Sequence, residues 1–441
     1  MKKKKIIIIG AGPLGLSLGY QLKEKGIGDF LILEKNSYPG GLSASFKDKK
    51  GFVWDIGGHV IHNRNKDFVK FCKKILDKNL VKQQRKAFIY FKNKFIPYPF
   101  QNNLAFLPEK YKKECLQSLP SVARISQDER GNSNFQSWIL KNFGQGMAKY
   151  FMIPQNQKTW QCPLDKLGVD WLSKKVSLPP LEKIKKECQK KNPQILSWGS
   201  NASFYYPKSD GIGTLWLKTA NLLKSNLIYK TQIKKVDLSK RMILAKQGSS
   251  LISYRFTKLI STMPLNELIK ISNADLKIKK LTSQLKYTSG LVIGLGFNKK
   301  PVFNHWHWLY FPQRIYPFFR VCLQSNFSPK TVPQKNYSSF LAEIASSKEY
   351  PCWTRMILNI NKQIGKIFFG NENIKPISTF SLFVPYYYPI PTLNRNKILE
   401  EINQYLNQHY VYSLGRFGSW LYEKGNLDDC FEEGKKIIYR L

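Results

Sequence analysis

Apolar positions change period several times along this 441-residue chain. Ile6, Ile7, Ile8 and Ile9 form a continuous apolar run that stops at Gly10, which predicts a strand buried on both faces. Leu14, Leu18 and Leu22 then recur every fourth residue, predicting a helix from Pro13 to Lys25, and Phe30 to Leu33 predict a second strand. Phe68, Phe71, Cys72, Ile75 and Leu76 make a helical stripe over 66–77. From 104 to 190 the pattern is helical, with Phe135, Trp138, Ile139 and Phe143 on one face and glycines at 144 and 146. Residues 213–263 predict a helix and then short strands ending in "KLISTM". Between 288 and 385 five runs look like strands: "SGLVIGLGF", "HWHWLYF", "PFFRVCL", "TRMILNI" and "ISTFSLFV". Alternation in the second of these puts Trp306, Trp308 and Tyr310 on one face and His305 and His307 on the other. A helix through Ile398, Ile402, Tyr405, Leu406 and His409 precedes a glycine-rich "GRFGSWLYEKGNLDD".

The turn after the first strand carries chemistry. A basic start followed by an apolar run can be a secretory signal, but Gly10, Gly12, Pro13 and Gly15 break the run and no small-x-small cleavage site follows. The alternative is strand, Gly-x-Gly-x-x-Gly, helix, strand, and then Glu34 about 20 residues on, the order of a dinucleotide-binding unit. Glycines there let backbone amides approach a pyrophosphate, and the carboxylate can hold a ribose diol. Two further glycine pairs follow, in "YPGGLSASF" and "WDIGGHVIH". Paired glycines imply close backbone approach to something, and a ligand buried along its length favours FAD over a nicotinamide. The chain therefore reads as α/β: a Rossmann-like FAD-binding domain (1–80, 208–285 and 394–441), an inserted helical domain (104–197) and an antiparallel β-sheet domain (81–103, 198–207 and 286–393).

Composition narrows the partners. The net charge of +42 comes mostly from lysine spread through every segment, whereas nucleic-acid binders cluster their basic residues; no nucleic-acid partner is expected. No apolar run reaches the ~20 residues of a membrane helix. Seven scattered cysteines without a C-x-x-C pair suit a reduced, cytoplasmic protein with no metal site. Arginines are scarce, so each is a candidate for the bidentate anion binding that lysine does badly. Arg320 lies in the apolar "PFFRVCL", where a guanidinium needs an anionic partner. Arg85 and Arg416 have similarly uncharged or aromatic neighbours. In "FIPYPFQNN", Tyr98, Phe100 and Gln101 offer rings and an amide suited to a pyrimidine.

The fingerprint, acid, GG-x-S and DxGGH resemble the large flavoprotein group that includes the amine oxidases. "GFVWDIGGHVIH", "IPYPFQNN", "WGSNASFYYP", "KLISTM", "WLYFP", "PFFR", "YPIPTL" and "GRFGSWLYEKGNLDD" resemble, in the same order, the eukaryotic-type UDP-galactopyranose mutases, over nearly the whole chain. The resemblance implies an isomerase that interconverts UDP-galactopyranose and UDP-galactofuranose, without net redox. Reduced FAD is its nucleophile, through N5 at the anomeric carbon, UDP is the leaving group, and NADPH is the expected reductant. The alternative is an amine-oxidase-like FAD oxidoreductase.

Carried over by position, the resemblance implies that Tyr98, Phe100 and Gln101 hold uracil, with Phe151, Asn156 and Trp160 around the uridine. Arg320 grips the diphosphate, helped by Tyr310, Tyr388 and Tyr422; Asn201 and Trp308 lie near the sugar or phosphates, and Arg85 lines the same cleft. His59 and Arg320 are the candidate catalytic residues. The cofactor set is Gly10, Gly12, Pro13, Leu14, Gly15, Glu34, Lys35, Gly41, Leu42, Ser43, Gly57, Gly58, His59, Ile233, Arg416, Gly425, Asn426 and Leu427, with Asn426 also facing the substrate. Three positions depart from the family pattern. Lys175 stands where the family has a second diphosphate arginine, His62 replaces an aromatic residue, and Asp429 replaces a histidine.

Overall fold

A computed structural model describes residues 2–121, 134–172, 176, 178–196, 202–346 and 353–441. Ile6 to Ile9 form the end of the strand Lys2–Ile9, at the centre of a seven-stranded sheet, and all four are buried. That strand pairs in parallel with Phe30–Leu33 on one side and Ser250–Ser261 on the other. Leu227–Ile228 extends the sheet beyond Phe30–Leu33, and Val411–Ser413 also adds to Ser250–Ser261 in parallel. Met242–Gln247 and Thr231–Asp237 complete it as an antiparallel meander. The fingerprint helix Pro13–Glu24 starts with proline in its first turn, where the missing amide has no intrahelical acceptor to lose. The helix Lys66–Leu76 buries all five residues of its predicted stripe and is capped by Asn65, whose side chain accepts from the Phe68 amide.

The second seven-stranded sheet runs in the order Ser378–Pro389, Tyr287–Phe297, Ser338–Ser346, Arg320–Leu323, Trp308–Tyr310, Ala87–Phe91 and Lys94–Pro97. Every pairing is antiparallel except the parallel contact of Trp308–Tyr310 with Ala87–Phe91. A small three-stranded sheet, Ile61–His62, Ser203–Pro207 and Leu80–Gln84, lies in sequence between contributions to the two large ones.

Two sequence expectations change here. "TRMILNI" is not a strand but the start of the helix Trp353–Phe369. Ile360, Ile364 and Phe368, all fully buried, continue the run at four-residue spacing, a helical period that a seven-residue window misses. In "HWHWLYF" only Trp308–Tyr310 is strand, so the expected alternation is lost upstream. Trp306 stacks on Phe368 in the core of the second sheet, whereas Trp308 packs with the nucleotide-side core. His307 is buried, and its Nδ1 accepts from the Lys86 amide.

In the helical segment, Phe135–Met147 runs into a π-turn, Ala148–Met152, and then the helix Ile153–Trp160. Pro154 has no amide to offer the carbonyl of Tyr150, so the turn widens. That widened turn brings Phe151 and Met152 to the same cleft as Gln155, Asn156, Thr159 and Trp160.

Candidate active site

Two places carry the geometry of ligand binding. The first is the turn between the strand Lys2–Ile9 and the fingerprint helix. Gly10 has φ +98°, and a Cβ at Gly15 would lie 2.0 Å from the Gly10 carbonyl oxygen. The Cβ direction of Gly12 meets open space, and Gly41, with φ +51°, would approach the Gly12 Cα at 3.3 Å. The first bond of the fingerprint helix runs from the Leu16 amide to the Gly12 carbonyl; helix geometry leaves the amides before it directed outward. Glu34 is buried, accepts from the Ala11 amide at 2.7 Å and the Asn36 amide at 2.8 Å, and has its pKa raised by burial. Pro13, Leu14, Leu42 and Ser43 frame this turn. Lys35 is exposed beside it, and Ile233 is buried in the neighbouring meander. An open glycine, outward amides at a helix N-terminus and an acid at the tip of the second strand fit the diphosphate and ribose of a dinucleotide.

Gly15→Ala tests that fit. Its methyl meets backbone rather than a movable side chain, so the turn must shift; we expect flavin content, read from visible absorbance, to fall roughly tenfold or more, an energetic equivalent of ~1.4 kcal/mol. A folded variant that retains full flavin would refute the assignment.

The second place is a cleft between the helix Ile153–Trp160, the second sheet and the N-terminus of the helix Leu427–Ile437. Its centre is an ion pair. Arg320 Nε donates to Glu343 Oε1 and Nη2 to Oε2, both at 2.7 Å. The strand register puts these residues opposite one another. Glu343 is 1% exposed and also accepts from the Tyr387 hydroxyl and, at 3.4 Å, from the Gly58 amide. Burial opposes its ionisation, but the Arg320 charge and these bonds outweigh that and hold the carboxyl below its usual range. Arg320 keeps Nη1 for a ligand, since no described residue bonds it.

Around this pair the expected residues converge. Tyr98 stacks on Tyr310 at 4.7 Å, and the Arg85 guanidinium lies 5.0 Å from the Trp308 ring centre. Asn156 Oδ1 accepts from Trp160 Nε1 at 3.2 Å, and Trp160 meets Tyr422 edge-on at 4.8 Å. Arg416 donates through Nε and Nη2 to the Gly425 carbonyl and lies over Tyr388. Gln101, Phe151, Asn426 and Leu427 line the same cleft. His59 lines it too; burial, reinforced by the Arg416 charge, lowers its pKa to about 3, so its imidazole is neutral at ordinary pH.

The remaining expected residues divide. Phe100 is fully buried, stacked on Phe151 at 4.9 Å behind the cleft wall. Lys175 and Asn201 lie outside the described residues. Gly58 lines the cleft, and the glycine pair Gly57 and Gly58 also packs closely against protein. Added Cβ atoms there would meet Glu343 Oε2 at 2.9 Å, and Cys322 Sγ and Trp308 Nε1 at 2.6 and 2.7 Å. His62 lines the cleft. Asp429 accepts from Arg64 Nη2 at 3.0 Å and closes the capping box at Asn426. Glu343 itself was not expected. Its signal was a lone carboxylate in the apolar "FLAEIAS", matching the lone guanidinium of "PFFRVCL".

Among the described residues no helix is long and apolar enough to cross a membrane, and no group of three or more His, Cys, Asp or Glu could hold a metal ion.

Residues 15–343 match the model of the flavin-containing amine oxidoreductases. The chain belongs to that family. A crystal structure of reduced UDP-galactopyranose mutase superposes with a TM-score of 0.89 at 31% identity, covering 99% of this chain and 93% of the other. This is an enzyme of the UDP-galactopyranose mutase kind. A putrescine oxidase bound to putrescine (TM-score 0.68, 11% identity, 99% of this chain and 98% of the other) and a fatty acid isomerase from P. acnes (0.65, 14%, 99% and 98%) share the fold.

Proposed function

We propose that the enzyme interconverts UDP-galactopyranose and UDP-galactofuranose in the cytoplasm, with FAD at the glycine turn and the sugar nucleotide in the cleft. The observation that carries this reading is the Arg320 guanidinium, clamped on one edge by Glu343 and open on the other. An anion with two phosphates suits that open edge, whereas a cationic amine would meet Arg85, Arg320 and Arg416 together. FAD, when bound and reduced, supplies the nucleophilic nitrogen N5 for the anomeric carbon.

The chain's residues do the rest. Arg320 stabilises the negative charge on the departing diphosphate, with hydroxyls from Tyr310, Tyr388 and Tyr422 within the same wall. Tyr98 and Gln101 orient the base at one end, Asn156 and Trp160 the uridine beside it, and the packed rings exclude water. His59, neutral, contributes shape rather than charge. We further propose NADPH as the reductant, and the three-part division of the chain given above as its domain organisation.

The test is dithionite-reduced enzyme incubated with UDP-galactofuranose. UDP-galactopyranose should appear with no stoichiometric consumption of reductant, and air-oxidised enzyme should be inactive. Full turnover by oxidised enzyme, or amine-dependent peroxide instead, would overturn the proposal.

A further inference from the structure

The helix Ile153–Trp160 and the strand Arg320–Leu323 face each other across the cleft and come from distant parts of the chain. The segment leading into that strand, 311–319, is held from the helix side by three side chains, Gln155, Gln157 and Lys158. Lys158 Nζ donates to the carbonyls of Phe311 and Phe318 at 2.5 Å and of Gln313 at 3.3 Å. Gln155 Nε2 donates to the Phe319 carbonyl at 3.1 Å, immediately before Arg320. Gln157 Oε1 accepts from Arg314 Nη2 at 3.2 Å. An ammonium has three donors and no acceptor, so three carbonyls saturate it; a neutral side chain of the same length could not replace it. Lys158 is half-buried with no carboxylate partner among the described residues, and burial pulls its pKa down to about 7, so its charge leans on the three carbonyls. It does not line the cleft.

We propose that Lys158 is a positioning residue for substrate binding: by gathering the 311–319 carbonyls it sets the distance between the uridine wall and Arg320. This rests on the uridine-diphosphate reading of the cleft. The ion pair with Glu343 fixes the direction of the guanidinium and the sheet fixes its place beside Tyr310 and Tyr98, but the contacts of the helix set how far it stands from Asn156 and Trp160. A ligand that spans both walls depends on that distance; one that touches a single wall does not. Linking two half-sites converts the second contact into an intramolecular one, and small misplacements cost much of that gain.

The experiment measures three dissociation constants, for UDP, uridine and pyrophosphate, on flavin-loaded parent and Lys158→Met. UDP should weaken roughly ten- to a hundredfold, while uridine and pyrophosphate each stay within about twofold. Lys158→Arg, which keeps several donors, should recover most of the UDP affinity. Equal weakening of uridine and UDP would mean a general loosening and would refute the positioning role, as would unchanged UDP affinity. If Lys158→Met does not fold, Gln157→Leu, outside the cleft, removes the tie to Arg314 and should give a smaller loss confined to UDP; no such loss would refute it equally. A parent enzyme that binds UDP no better than uridine would instead overturn the nucleotide reading of the cleft.

Discussion

Arg320→Ala should abolish measurable turnover and weaken UDP binding by more than a hundredfold. Two losses combine. A charge-assisted contact to a phosphate contributes about 1.5–3 kcal/mol, or roughly ten- to a hundredfold in affinity. The second loss is specific to this site. Glu343 is 1% exposed and spends both oxygens on Arg320. Without the guanidinium it becomes an unpaired buried carboxylate, destabilising by about 3–5 kcal/mol and directing negative charge at the place a diphosphate must enter. The double variant Arg320→Ala/Glu343→Ala should therefore be more stable than the single one. Fluorescence displacement of a UDP probe and a thermal melt measure both effects; near-normal UDP affinity in Arg320→Ala would reject the assignment.

Removing the other member gives the converse. Glu343→Leu should lower the thermal midpoint by roughly 3–6 °C without ligand, the scale set in a chain of this length by about 3–5 kcal/mol for breaking a buried pair. Here the orphan is a cation, and UDP can supply its anion. We expect UDP to restore more of the midpoint in this variant than in the parent, and its affinity to hold or tighten. Turnover should still fall, because a guanidinium no longer clamped along one edge presents its donors loosely. Glu343→Gln, which still accepts from Arg320 and Tyr387, should fall between. A Glu343→Leu protein that melts like the parent would show that the pair is not structural.

How legible was this in the sequence? The glycine turn was, because strand, helix, strand and acid each follow from local period and residue type, and all four agree. The cleft was partly legible. Scarce arginines among rings drew attention to Arg85, Arg320 and Arg416, but one chain cannot show which guanidinium is already paired. Glu343 was hidden because a single acid within an apolar strand looks like an edge residue until Arg320 is found opposite it in register. Gly57 and Gly58 were read as marking a close backbone approach; their near neighbours in the structure are Glu343, Tyr387, Cys322 and Trp308. "TRMILNI" failed because seven residues do not separate a buried helix turn from a strand. The positions of Phe100 and Trp306 failed for a different reason: which core an aromatic joins depends on packing between segments far apart in sequence.

The pairing of the central strand has a consequence for synthesis. Lys2 finds its partner Tyr254, and Ile9 its partner Ser261, about 250 residues later. At translation rates of roughly 5–20 residues per second, the interval is on the order of 10–50 s, during which one side of that strand has no partner. A four-isoleucine edge left open so long is a template for pairing with a neighbouring nascent chain. The four lysines directly ahead of it, Lys2 to Lys5, carry like charge into any such pairing and repel a second copy. In the finished sheet Lys4 is paired with Asp29 at 3.2 Å; until the strand Ser250–Ser261 is made, the same run of charge should work against pairing with another copy.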